Sequence, residues 1–85
     1  MKQKAVTIKL EQGLEARPVA MLVQVASKHS SSVYLETEGR KVNAKSIMGM
    51  MSLGLNSGET VTVIADGPDE EAAVADMTGY LCGEN

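Results

Sequence analysis

Along this chain the spacing of apolar residues switches back and forth between two and three-to-four, and within 85 residues that forces short strands and short helices to share one core. Val6, Ile8 and Leu10 alternate with Thr7 and Lys9, so residues 5–10 read as a half-buried strand. Residues 11–15 follow as a loop with Gly13 as its flexible point, and Arg17-Pro18 places a proline where a first helical turn tolerates it. That helix runs to about Lys28, because Val19, Leu22, Val23 and Ala26 recur at spacings of three and four, and Ser30-Ser31-Ser32 breaks it. Val33 and Leu35 alternate with polar residues up to the turn Thr37-Glu38-Gly39, after which residues 40–43 return as the next strand. A short helix over about residues 47–53 ends at Gly54, and residues 60–65, T-V-T-V-I-A, form the last strand. Gly67-Pro68-Asp69 opens a closing helix whose acidic first turn, Asp69-Glu70-Glu71, suits the helix dipole. Gly79 is a poor helix former with no reason visible in the sequence, so this helix is expected to fray before Cys82.

The order strand, helix, strand, strand, helix, strand, helix predicts an α+β sandwich, one domain over residues 1–85, with helices on one face of an antiparallel sheet. Its core must be aliphatic and methionine-rich, since the chain has no Phe or Trp and only two tyrosines, Tyr34 and Tyr80. The same shortage removes the aromatic platforms that stack nucleic-acid bases. A net charge of -3 provides no global attraction to a polyanion, so direct nucleic-acid binding is disfavoured. Lys41 and Lys45 are expected to form only a local basic spot beside Ser46. Cys82 is the single cysteine, no apolar run approaches the length of a membrane span, and the start alternates like a strand instead of a signal-peptide core. Cytosol is the expected compartment.

Two segments carry the candidate chemistry. Ser46 stands before Ile47 at the start of the short helix, where its hydroxyl is a natural cap for unpaired backbone amides. A phosphate on the same oxygen would meet those amides and the positive helix end, so modification would change surface charge rather than fold. Local physics alone favours the plain cap. Ile47, Met48, Met50 and Met51 cannot all be buried by a helix of about two turns, and Ile47, Met48 and Met51 are the expected partner contacts on an adaptable methionine-rich patch. Gly49 lowers the intrinsic stability of that helix.

In the other segment Glu15 precedes a helix whose first amides and Arg17 would hold an anion. Its carboxylate is expected to settle against Arg17 and the helix end as a permanent negative charge. His29 has no neighbouring Cys or second His and reads as a solvated residue near a helix C-terminus, so no metal site and no cofactor are expected. Ser46, His29 and Asp66 supply the residue types of a hydrolase triad, but no serine sits in a nucleophile elbow and there is no GxxxxGK[ST] loop, so no catalytic residue is assigned. Cys82 reads as incidental.

Gly39-Arg40, Lys45-Ser46-Ile47-Met48, Met50, Leu53 and Gly54, together with Gly13-Leu14, Ala16, Arg17 and Pro18, resemble the HPr family, the small phosphocarriers of the bacterial sugar phosphotransferase system. Lys41-Val42-Asn43-Ala44-Lys45-Ser46-Ile47-Met48-Gly49 is most similar to the family's catabolite-repression branch, which keeps the regulatory serine and lacks the active histidine. Glu15 occupies the phosphocarrier histidine's position, where that branch usually has glutamine. The resemblance implies an open-faced β-sandwich in the order β-α-β-β-α-β-α, with four antiparallel strands covered on one face by three helices. It implies phosphorylation of Ser46 by HPr kinase/phosphorylase and binding of the phosphoserine form to the catabolite control protein CcpA, which would itself touch DNA. Arg17 would then reach an acidic partner residue, Ile47, Met48 and Met51 would pack on the repressor, and Lys45 would border the same contact.

Two other readings stay open. One is a phosphocarrier of the phosphotransferase system that uses a non-histidine acceptor such as Glu15. The other is a module that binds and regulates a metabolic enzyme directly. The chain is expected to be a monomer or a weak homodimer, the short connection at residues 11–15 leaving room for the first strand to exchange between copies.

Overall fold

The computed structural model describes residues 1–11 and 13–83, in the order β1 (Lys2–Thr7), α1 (Ala16–Ser27), β2 (Ser32–Thr37), β3 (Arg40–Asn43), α2 (Ile47–Met51), β4 (Thr60–Asp66) and α3 (Glu70–Leu81). The strands form one antiparallel sheet in the order β1-β4-β2-β3, with β4 paired to β1 from Thr7↔Thr60 to Lys2↔Ala65 and to β2 from Glu36↔Thr62 to Ser32↔Asp66. Alternation along β4 places Val61, Val63 and Ala65 against the helices, where they are buried with Val33 and Leu35 of β2. The helices add Val19, Leu22 and Ala26 from α1, Met50 from α2, and Ala73, Met77 and Leu81 from α3, all fully buried. This is the open-faced α+β sandwich expected from the sequence. On its other face Ile64 stands between Gln3 and Tyr34 in register and is buried there, outside the helix-side core.

Three boundaries differ from the sequence reading by two residues or more. The first strand begins at Lys2 instead of residue 5 and ends at Thr7 instead of residue 10. Its start is held by backbone pairing to β4 rather than by apolar alternation, and its Lys2 and Lys4 are the charges expected on an edge strand. Its end is set by competition: the Lys9 amide leaves the sheet to donate to the Leu81 carbonyl at 2.8 Å. That bond, with the full burial of Leu81, keeps α3 helical through Leu81, so the expected fraying before Cys82 does not occur. The second helix stops at Met51, where Ser52 takes over as its C-cap, and Leu53 is buried just beyond it.

Gly13 is required by the 11–15 connection, in which Gln12 lies outside the described residues. Its φ is +61°, and a Cβ there would stand 2.6 Å from the Leu55 carbonyl oxygen. The next amide, Leu14 N–H, donates to that same oxygen at 2.8 Å and fixes the approach to α1.

Candidate functional site

The serine segment is shaped by Asn43 at the end of β3. Its side-chain oxygen accepts the Lys45 amide at 2.8 Å and its carbonyl accepts the Ser46 amide at 3.1 Å, turning the chain out of the sheet over the fully buried Ala44. Ser46 enters with extended backbone angles, φ -116° and ψ 116°, which is the geometry of a helix cap. Its hydroxyl oxygen accepts the Gly49 amide at 3.2 Å, and its carbonyl accepts the Met50 amide at 3.0 Å. The half-buried serine oxygen therefore faces the amide end of α2.

With five residues, α2 can bury one side only, and Met50 takes that side. Ile47, Met48 and Met51 are left 48%, 84% and 46% exposed, as the sequence required of part of this helix. Met21 on α1, the helix packed against α2, is also exposed and was missed by the sequence reading. A signal for it existed, because Met21 is a large apolar residue lying off the Val19, Leu22, Val23, Ala26 stripe.

The cations around the expected basic spot beside Ser46 each have another partner. Lys45 Nζ donates to the His29 carbonyl at 2.8 Å, Arg40 donates to Ser52 Oγ at 3.0 Å, and Lys41 sits 4.9 Å from the centre of the Tyr34 ring. Each cation has an acceptor or π face of its own, and the serine, as a neutral hydroxyl, offers little to a cation.

Glu15 caps α1 through its backbone, its carbonyl accepting the Val19 amide at 2.9 Å, but its side chain makes no capping hydrogen bond. Among the described residues it forms no ion pair with Arg17, so the expected settling of the carboxylate on Arg17 and the helix end is not seen. Both side chains project into solvent, where water solvates them at least as well.

His29 also departs from expectation. Instead of a solvated ring, its side chain is 11% exposed and lies between two carboxylates of the α3 region, with Nδ1 3.1 Å from Asp69 Oδ2 and Nε2 2.8 Å from Asp76 Oδ2. Residues 40 and 47 positions away in sequence supply these contacts, so no local pattern could reveal them. The ring is engaged there and the Ser46 hydroxyl with Gly49, so Ser46, His29 and Asp66 do not assemble into a triad. Among the described residues no group of three or more His, Cys, Asp or Glu side chains is placed to hold a metal ion, and no helix is long and apolar enough to cross a membrane. A groove of about 760 Å³ between β1 and α3, lined in part by Lys4, Val6, Thr78 and Cys82, takes no side chain from residues 39–54.

What Ser46 occupies is a surface, with a capped oxygen and an apolar patch beside it, on a small α+β sandwich whose second helix is too short to hide its own side chains. The family model for the PTS HPr component phosphorylation site matches residues 2–82, and the chain belongs to the HPr family. Within it the chain is similar to the HPr-like protein Crh of Bacillus subtilis, 49% identical with 95% of each chain covered. A crystal structure of HPr-C-His from Thermoanaerobacter tengcongensis, 46% identical, superposes with a TM-score of 0.92 over 100% of this chain and 99% of that one. A crystal structure of Bacillus subtilis Crh, 49% identical and covering 99% and 97% of the two chains, has a TM-score of 0.81 and is of a swapped, intertwined dimer. The one histidine of the present chain, His29, follows the C-terminal end of α1, whereas Glu15 caps its N-terminal end.

Proposed function

We propose that this chain is a non-enzymatic regulator of carbon catabolite repression, switched at Ser46, and not a histidine phosphocarrier. HPr kinase/phosphorylase would transfer the γ-phosphoryl group of ATP to Ser46 Oγ, forming the ester bond, breaking the bond to ADP and releasing the hydroxyl proton. The phosphoserine form would serve as corepressor of a CcpA-type regulator in the cytoplasm, with no direct contact between this chain and nucleic acid. The observation that carries this reading is the placement of the capped Ser46 oxygen at the amide end of α2, beside the exposed Ile47, Met48 and Met51. A phosphate there keeps the cap amides as partners while its outer oxygens remain open to basic side chains of a repressor. The apolar patch supplies desolvated contact area, the exposed Arg17 offers charge to acidic partner residues, and the half-buried Lys45 borders the same contact.

Glu15 speaks against histidine-type transfer, because a carboxylate would have to carry the phosphoryl group as a labile acyl phosphate. By analogy with Bacillus subtilis Crh, a weak homodimer accompanies the monomer. Intact mass with fragment mapping, after incubation with HPr kinase/phosphorylase and ATP, tests the switch. One phosphoryl group on the chain and none on Ser46→Ala is the expected result. A folded chain left unmodified, or stable labelling by phosphoenolpyruvate and enzyme I, would sink the reading.

A further inference from the structure

Lys45 connects the capped serine to a separate feature at the junction of α1 and β2. Its Nζ donates to the His29 carbonyl at 2.8 Å in a part-buried setting, two residues past the end of α1. The junction is held from its other side by α3 and its cap. Asp69 accepts the Ser30 and Ser31 amides at 3.1 and 2.9 Å and the Ser31 hydroxyl, and Asp69 and Asp76 bracket the His29 ring. Residues 29–31 are thus tied to α3 by two aspartates and to the serine segment by one ammonium.

A phosphate at Ser46 would change what that ammonium faces. A phosphate near two negative charges on the adjacent residue attracts Lys45 more strongly than a neutral carbonyl does, and the flexible lysine stem lets the ammonium swing. Lys45 directly precedes Ser46 and so has the shortest chain path to the phosphate, whereas Arg40 and Lys41 lie farther back along the chain, at Ser52 and over the Tyr34 ring. We propose that phosphorylation of Ser46 draws the Lys45 ammonium off the His29 carbonyl and so loosens the junction between α1 and β2. The inference rests on the phosphoserine reading and extends it: the switch is felt at residues 29–31 as well as at the methionine patch.

Amide hydrogen exchange at Ser30 and Ser31, followed by NMR, reads the junction directly. The chain is compared unmodified, phosphorylated, and as Ser46→Asp, each with and without Lys45→Met. With Lys45 present, added charge at position 46 is expected to speed exchange at both amides about three- to tenfold, the scale of losing one net hydrogen bond. Lys45→Met is expected to show the faster rates already and to be insensitive to charge at position 46. Unchanged rates in Lys45→Met, or an equal acceleration in both backgrounds, would overturn the proposal. If the kinase leaves Ser46 unmodified, the functional reading fails alone, because the Ser46→Asp arms still decide whether Lys45 couples the two places.

Discussion

Asp69 directly precedes α3, yet its carboxylate turns away from that helix and ends on the α1–β2 junction. The Ser31 hydroxyl, then the Ser31 and Ser30 amides and the His29 ring, hold its carboxyl far below the ordinary 3.8, against the opposing effect of partial burial. A carboxyl depressed in the folded state contributes stability above its ordinary range and loses it as the pH falls through that range toward the folded value. The thermal midpoint is therefore expected to drop as the pH is lowered below about 3.8, and Asp69→Asn to lower the midpoint at neutral pH while flattening that acid limb. Circular-dichroism melts between neutral and strongly acid pH check this. Some slope persists in the variant, because Glu70 is lowered in the same sense by the Gly67 amide and then the N-terminal ammonium. Glu38 is a second residue-scale case. The pair Thr37↔Arg40 closes a two-residue turn in which Glu38 has φ 50° and Gly39 φ 80°, a conformation that asparagine tolerates better than glutamate. Glu38→Asn is expected to raise stability by about 0.5 kcal/mol, read from the midpoint of urea unfolding.

Among the elements, α2 is the least self-sufficient, with five residues, one buried side chain and a glycine in the middle. A Cβ at Gly49 would meet Ser46 Oγ at 3.4 Å and the Val42 Cβ at 3.6 Å, which are ordinary contacts. Gly49→Ala is therefore expected to stabilise the chain by about 0.5–1 kcal/mol through helix propensity, measured by thermal unfolding. A loss of stability would show that this close approach of α2 to β3 tolerates no added methyl. The extent of α2 and β1 shows where periodicity runs out. Apolar spacing identified α1 and β4 because their patterns persist over several residues, but Lys2 to Ala5 in β1 carry no pattern and are ordered by the backbone of β4.

For the whole molecule, the methionines of α2 divide between core and surface. Met50 is fully buried and Met48 84% exposed. Met50→Ala is expected to cost about 2–4 kcal/mol in urea unfolding. Met48→Ala should stay within about 0.5 kcal/mol of the parent while weakening repressor binding by the phosphoserine form roughly tenfold, measured by titration calorimetry. The order of elements, the aliphatic core, the Ser46 cap and the exposed trio Ile47, Met48 and Met51 were legible in the residues alone, because each follows from spacing within one turn or one strand. Sheet order, the engagement of His29 by Asp69 and Asp76, the partners of Arg40, Lys41 and Lys45 and the closure of α3 by the Lys9 amide were not. Local periodicity determines which face of a segment turns inward; only folding decides which polar groups, distant in sequence, come within hydrogen-bond reach.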